Sequence, residues 1–394
     1  MSAQDYKAPE SVGRVQRGAW LVGGVALLVA LFGAFTSPDK FYQSYLFSFL
    51  LVLGLTLGSL GLLVLQHLTG GNWGIIIRRP LEAAAQNIWL VFLMFVPVVL
   101  GMHSLYGAWM SPERRKAEPL SPFQQSYLTS SGYLTRAVIY FAIWSALAWI
   151  FISWSRRQDV DREDRTLRRH FKLLAGPGLI LYVVAVTFAS IDWVMSISPH
   201  WASTIYGFIF VAGQAVSAMA LMIVVVVLLS GSGPFAEVLH KRHLHDLGKL
   251  LFAFTMLWAY FDFSQLLIIW SGNQPEEISF YRTRLYGEWG VVAVVVLLFS
   301  FALPFAVLLS SDLKRNASLV SKVALWMLVF RLVDLYWMTR PEFTVKALPN
   351  WLDIVVPVAL VGLWVGFFAM NLKQRPLLPL GDPKLAEAVA QDEH

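Results

Sequence analysis

The chain has 394 residues, of which 57% are hydrophobic and only 14% are charged, whereas about a quarter of a soluble globular protein is charged. Apolar runs long enough to cross a bilayer as helices recur along it, so the composition excludes an ordinary soluble domain. The formal charge of +6 indicates the Lys and Arg excess of cytoplasmic loops, and we expect no nucleic-acid partner.

These apolar runs predict an all-α, polytopic integral membrane protein with about ten transmembrane helices. Residues 1–17 are then a cytoplasmic N-terminal segment, and residues 18–372 form the membrane domain. The tail at 373–394 is Pro-rich and then acidic, a composition typical of a mobile segment or one that becomes ordered on binding. In chain order the predicted spans are 18–36, 44–66, 86–107, 133–155, 173–195, 201–230, 248–271, 288–311, 318–337 and 351–372.

The distribution of Lys and Arg predicts the orientation. Most of these residues lie in the N-terminal segment, in the loops after the even-numbered spans and in the C-terminal tail. Because basic residues concentrate on the cytoplasmic side, we expect both termini in the cytoplasm. The densest basic segment, Arg156–Lys172, is explained by this topology or by a docking surface for a partner or for anionic lipid.

The absence of Cys excludes iron–sulfur ligation, thiolate-bound metal and covalent attachment of haem c on this chain. A haem b held by two His needs facing ligands inside the membrane. His103 lies inside an apolar span, whereas His67 is expected at the opposite face. We therefore expect no metal and no other cofactor on this chain.

Ionisable residues inside a bilayer are costly, which makes them candidates for function. Asp262 is the deepest predicted acid and shares a helix face with Gln265. Arg331 and Asp334 share a face of the ninth span in the same way. We expect Asp262 and Arg331 to form a pair between helices. Two interpretations stay open: a buried ion pair that fixes helix packing, or a protonatable site in a proton or quinol pathway.

Four stretches resemble a known family: HLTGGNWG at His67–Gly74, SIDWVMSISPHWASTIYG at Ser190–Gly207, the segment Trp258–Arg284, and RLVDLYWMTRPEF at Arg331–Phe343. Together with the ten-helix layout, they resemble the ActF-type membrane subunit of bacterial alternative complex III, in the polysulfide-reductase-like or NrfD-like superfamily. Trp258–Arg284 is the most specific stretch because it combines a deep Asp, an IIW-x-G-N turn and an acidic loop.

The resemblance implies two four-helix bundles, at about 44–195 and 201–337, with the first and last helices outside them. It implies a place in the bacterial cytoplasmic (inner) membrane, within a respiratory or photosynthetic complex that oxidises quinol or menaquinol and reduces cytochrome c or a similar acceptor. The implied partners are a sister ten-helix quinol-binding subunit, an iron–sulfur subunit, multihaem and monohaem cytochrome c subunits, and lipids. The haems c and iron–sulfur clusters would belong to those partners.

Three functional hypotheses follow. The first is a redox-inactive subunit that scaffolds the complex, with proton conduction through Asp262, Arg331 and Asp334. The second is a quinol-binding subunit in which His103 and Asp192, near the outer face, accept the quinol protons. The third is an independent solute transporter, which is disfavoured because the polar groups are skewed outward rather than concentrated at the midplane.

Overall fold

The computed structural model describes residues 6–161, 166–231, 235–382 and 384–385, apart from the side chain of Glu237. Within these residues every regular element is helical. Nine helices in these ranges are long and apolar enough to cross a membrane. The prediction of an all-α, polytopic membrane protein is therefore confirmed.

The long helices are numbered here in chain order. They are α1 (Glu10–Thr36), α2 (Pro38–Thr69), α3 (Arg78–Leu100), α4 (Ser130–Val160), α5 (Thr166–Trp193), α6 (Tyr206–Leu229), α7 (Lys241–Gly272), α8 (Gly287–Leu308), α9 (Ala317–Thr339) and α10 (Leu352–Lys373). All except α9 belong to the nine apolar helices. The 23 residues of α9 are enough to cross a bilayer, but they include Lys322, Arg331 and Asp334.

Several helices begin earlier or later in the sequence than predicted, because polar residues lie in their first turns or just before them. Helix α1 begins at Glu10 rather than at 18, directly after Pro9. Helix α3 begins at Arg78 rather than at 86, since the buried charges of its first turns pair with one another. Helix α6 begins at Tyr206 rather than at 201. An apolar-run criterion cannot locate ends of this kind.

Helices α2 to α5 pack together on one side, and α6 to α9 pack together on the other. The contact between α2 and α6 joins the two groups. Helix α1 packs along α10, and α10 packs in turn on α2. At the junction, Gly58 of α2 faces the carbonyl group of Gln214 on α6 with no room for a side chain. The two central helices can approach this closely because of that glycine.

Two segments outside the long helices shape the ends of the molecule. Asn273, in the left-handed backbone region with φ 49°, ends α7 and leads into a short helix at Pro275–Leu285, called the cap helix below. At the other end, the chain after α10 packs back on the helices.

The C-terminal residues that the structure describes contrast with the predicted mobile tail. The amide of Leu377 donates to the Tyr6 carbonyl at 2.8 Å, and Leu377 and Leu378 are fully buried. Residues 374–382 are therefore part of the packed structure. The rest of the predicted tail, apart from residues 384–385, lies outside the described residues.

Candidate functional site

The predicted cluster of charged residues lies where α6, α7 and α9 meet. Arg331 and Asp334 are buried, and the Arg331 guanidinium donates to the Asp334 carboxylate. It also lies against Gly213 of α6, where any side chain would collide with it. Because Asp334 stands three residues further along the same helix, α9 satisfies its own buried base.

The prediction that Asp262 and Arg331 form an ion pair is wrong. Among the described residues no ion pair joins them, since Arg331 is paired with Asp334. Asp262 lies within electrostatic range of both residues of that pair, but it accepts no hydrogen bond from the described part of the chain. A carboxylate at this depth without a direct counter-charge is energetically costly, which marks it as a candidate for function.

Asp262 lines a cavity of about 520 Å³ between α7, the cap helix and α8. Most of the wall is apolar or aromatic, with Trp258, Phe301 and Trp337 among its residues. The hydroxyl-bearing Tyr281 of the cap helix also lines it. The cavity thus brings one unpaired carboxylate and one phenol together in apolar surroundings.

Gln265 holds the polar end of this cavity in place. Its Nε2 donates to the Tyr281 hydroxyl at 2.8 Å, and its Oε1 accepts from Ser203 Oγ at 2.7 Å. Burial raises the pKa of Tyr281, and the nearby Asp262 carboxylate raises it further. Tyr281 therefore keeps its proton, and because its oxygen accepts from Gln265, the hydroxyl hydrogen is available to donate.

The cap helix is fixed to the rest of the protein through Arg284. This buried guanidinium donates to Glu342 Oε1 at 2.7 Å and to the Met338 carbonyl at 2.9 Å. It also lies 3.5 Å from the centre of the Phe280 ring, which stacks on Trp201 at 3.8 Å on its other face. The cap helix is consequently a rigid wall of the cavity.

Two small cavities of about 10 Å³ each lie further inside, between the two helix groups. Gln214 of α6 lines both, Arg331 lines one, and Trp144 and Trp193 line the other. The buried indole N–H groups of both tryptophans have no partner in the described residues. Each cavity is close to the smallest that holds one water, and polar groups of this kind are the partners such a water needs.

The second predicted pair, His103 with Asp192, is not brought together. The Asp192 carboxylate is fully buried and accepts from Arg136 Nη2 at 2.8 Å, from Arg136 Nε at 2.9 Å and from the Tyr140 hydroxyl at 2.7 Å. His103 lies exposed in a short helix after α3. Among the described residues, no hydrogen bond joins the two side chains.

Sequence reasoning missed a buried charge network at the predicted cytoplasmic end, called the C-terminal network below. Glu82 accepts from Arg79 Nη1 at 2.7 Å, from Arg375 Nη1 at 2.6 Å and from Ser155 Oγ at 2.6 Å. Arg78 donates to Asp382 at 2.7 Å. Arg78 and Arg79 precede Glu82 by four and three residues, a spacing that predicts ion pairs on one helix face. This spacing was the signal that could have revealed the network.

His67 lies next to this network. Its ring stacks on Phe171 with centroids 4.1 Å apart, and the Arg78 guanidinium lies 5.3 Å from the centre of the same Phe171 ring. The Nε2 atom of His67 is buried without a partner in the described part of the chain. His67 is thus a titratable group inside the predicted cytoplasmic half, where no carboxylate relay was expected.

Comparison with protein-family models gives no match for this chain, and comparison with curated proteins gives none either. In the ranges that the structure describes, no cluster of three or more His, Cys, Asp or Glu could hold a metal ion.

Proposed function

We propose that this chain is a redox-inactive membrane subunit of a complex that oxidises quinol and reduces cytochrome c or a similar acceptor, and that it conducts protons. The four stretches quoted above support the assignment to such a complex. The observation that carries the proton-conducting role is Asp262, which lines the large cavity from the apolar part of α7, has no ion-pair partner in the described chain and lies beside a buried Arg–Asp pair. Such a carboxylate can exchange a proton without breaking an existing salt bridge.

Polar groups continue inward from Asp262. Arg331 of the neighbouring pair lines the first small cavity together with Gln214 and Ser217. Gln214 also lines the second cavity and accepts from the Tyr182 hydroxyl at 2.8 Å. One water in each cavity would extend this line of hydrogen-bonding groups between the two helix groups.

A route onward to the cytoplasmic side would follow α2. The Tyr182 ring packs against Gly61 of that helix, which is six residues, or about 9 Å, from His67. Both Gln66 Oε1 and His67 Nε2 are buried and lack partners in the described residues. These two groups supply the relay that carboxylates do not, and they end next to the C-terminal network.

The implied partners belong to the same proposal. They are a sister ten-helix quinol-binding subunit, an iron–sulfur subunit, multihaem and monohaem cytochrome c subunits, and lipids, all at the bacterial cytoplasmic membrane. The alternative quinol site at His103 and Asp192 is disfavoured, because Asp192 is already saturated by Arg136 and Tyr140. A transporter would function when purified alone, whereas this chain should purify with its partners.

The test is proton translocation by the purified complex in sealed vesicles. We expect Asp262→Asn to leave assembly intact and quinol oxidation largely unchanged, while the number of protons translocated per electron falls. Asp312→Asn is the matched control, since Asp312 is exposed outside the long helices. An unchanged proton yield in Asp262→Asn would exclude this chain's Asp262 from proton conduction.

A further inference from the structure

Positive charge is concentrated where the start of α7 meets the segment after α8. Residues 241–249 and 311–315 together contain five Lys and Arg but only two Asp. The short helix Ser311–Arg315 packs on α7, which brings Lys249, Lys314 and Arg315 to one end of the molecule. These three residues are called the cationic cluster below. They lie at the boundary of the apolar part of the protein, because the predicted spans 248–271 and 288–311 begin and end here.

Lys314 is the least exposed member of the cationic cluster, with 7% of its surface accessible. Its stem packs on Gly248 of α7, where an added side chain would collide with it. Neither Lys314 nor Arg315 forms an ion pair with the described residues, and Lys249 makes only a long contact of 3.8 Å with Asp246. The described part of the chain therefore leaves most of this positive charge uncompensated.

The three cations act on one small region. All of them lie within electrostatic range of the His245 ring, whose buried Nε2 atom has no partner in the described residues. Burial, and then the like charge of Lys249, lowers the pKa of Lys314. An anion placed among these groups would relieve the repulsion between them.

An apolar surface adjoins the cationic cluster on the side of the long helices. The Nζ atom of Lys314 lies 5.8 Å from the centre of the Phe252 ring, and Phe252 packs against Phe305 of α8 with ring centroids 5.5 Å apart. Leu309, directly after α8, is 57% exposed. A soluble anion would leave this surface uncovered, whereas the acyl chains of a lipid would cover it while the headgroup stays at the boundary.

We propose that the cationic cluster binds the phosphate group of an anionic phospholipid, whose acyl chains lie over Phe252 and Phe305. Phosphate oxygens accept hydrogen bonds from ammonium and guanidinium groups, and basic side chains at a membrane surface attract anionic lipids. The proposal goes beyond the proposed function, which leaves the class and the site of its lipid partners open. It depends on the membrane placement of the helices and not on quinol oxidation or proton conduction.

The experiment places the purified native complex in phosphatidylcholine nanodiscs that contain a photoreactive phosphatidylglycerol, labelled in an acyl chain near the glycerol. Crosslinks are mapped on this chain by mass spectrometry. We expect a crosslink within residues 245–256 or 303–315 that unlabelled phosphatidylglycerol displaces and inorganic phosphate does not. A photoreactive phosphatidylcholine of the same design should label these residues much more weakly.

Three variants test the cationic cluster. Lys314→Gln should weaken phosphatidylglycerol binding at this site by about tenfold or more, the effect of a charged hydrogen bond. Lys249→Gln should weaken it by about fivefold, and because Lys249 is exposed, this variant should assemble even where Lys314→Gln does not. Lys172→Gln is the matched control, since it removes the same charge from an exposed position on α5, in the other helix group. It should leave binding unchanged.

Several outcomes overturn the proposal. Equal labelling by the two lipids, or unchanged binding in both Lys314→Gln and Lys249→Gln, means that headgroup charge is not recognised here. Equal weakening in Lys172→Gln means that net charge alone acts. Displacement by inorganic phosphate means a site for soluble anions, and no lipid crosslink at these residues means that a partner subunit covers them. None of these results depends on turnover, so they are distinguishable from the outcome of the Asp262→Asn test.

Discussion

The Arg331 guanidinium donates to the Asp334 carboxylate one turn further along the same helix, and not to Asp262 on the neighbouring helix. Both members of the pair are buried. The pair therefore carries the structural role that sequence reasoning assigned in part to Asp262. Asp262 has no ion pair in the described chain and can exchange a proton without breaking one.

This division of roles predicts different effects for two similar substitutions. Asp334→Asn leaves Arg331 buried without its counter-charge, and breaking a buried pair costs about 3–5 kcal/mol. We expect the yield and the thermal unfolding temperature of the purified complex to fall. Asp262→Asn is the control, because it removes a neighbouring carboxylate of the same cluster without breaking an ion pair.

Two further results check the assignment. The double change Asp334→Asn with Arg331→Gln removes both charges and should restore part of the lost stability. If Asp262→Asn instead destabilises the complex as much as Asp334→Asn does, Asp262 and not Asp334 is the partner that matters to Arg331.

The sequence predicted the helices well because each apolar run is itself the signal for a span. It also identified Asp262, Arg331 and Asp334, since a charge within such a run is conspicuous. It could not choose the partner of Arg331, because the choice depends on how far α7 stands from α9. Spacing alone favoured Asp334 as a neighbour on the same face, and packing made that contact the one that forms.

The C-terminal network shows a different limit of sequence reasoning. It joins Glu82, Asp159 and Arg375, which are far apart in the sequence and which an apolar-run criterion assigns to loops or tail. The cap helix poses the same problem, since Gln265 and Tyr281 meet only when the chain reverses at Asn273. Contacts of this kind depend on tertiary packing rather than on local periodicity.

Arg375 is expected to hold the C-terminal residues on the helices. It donates to Glu82 at 2.6 Å and to Asp159 at 2.7 Å, and losing charged hydrogen bonds of this kind costs about 1–3 kcal/mol. In Arg375→Gln, the fully buried Leu377 should become accessible. The measurement is the rate at which Leu377→Cys, in this chain without native Cys, reacts with a thiol reagent in permeabilised membranes.

Lys373→Gln is the control for this effect, because Lys373 is exposed two residues earlier and forms no ion pair with the described residues. It should leave the labelling rate unchanged. Equal acceleration in both variants would mean that net charge near the tail, and not the Arg375 contacts, keeps residues 374–382 in place.

The orientation of the chain is open to a direct test. Glu276 of the cap helix and Ser318 near the start of α9 are both exposed. Glu276 follows the C-terminal end of α7, whereas Ser318 lies in the first turn of α9. The predicted topology therefore puts them on opposite sides of the membrane. We expect Glu276→Cys to react with an impermeant thiol reagent in intact cells, and Ser318→Cys to react only after permeabilisation, because basic loops face the cytoplasm. The reverse pattern would place both termini outside.

Arg284 is expected to fix the cap helix and thereby the wall of the large cavity. Arg284 is 1% exposed. A shorter, neutral side chain at this position could not keep the hydrogen bonds to both Glu342 and the Met338 carbonyl. Arg284→Gln should destabilise the protein by about 3–5 kcal/mol, because Glu342 loses its only counter-charge among the described residues.

Arg282→Gln, two residues earlier and exposed, should have little effect. Thermal unfolding and hydrogen exchange of residues 275–285 measure both, and unchanged exchange in Arg284→Gln would show that the Phe280 stacking on Trp201 is sufficient to hold the cap helix.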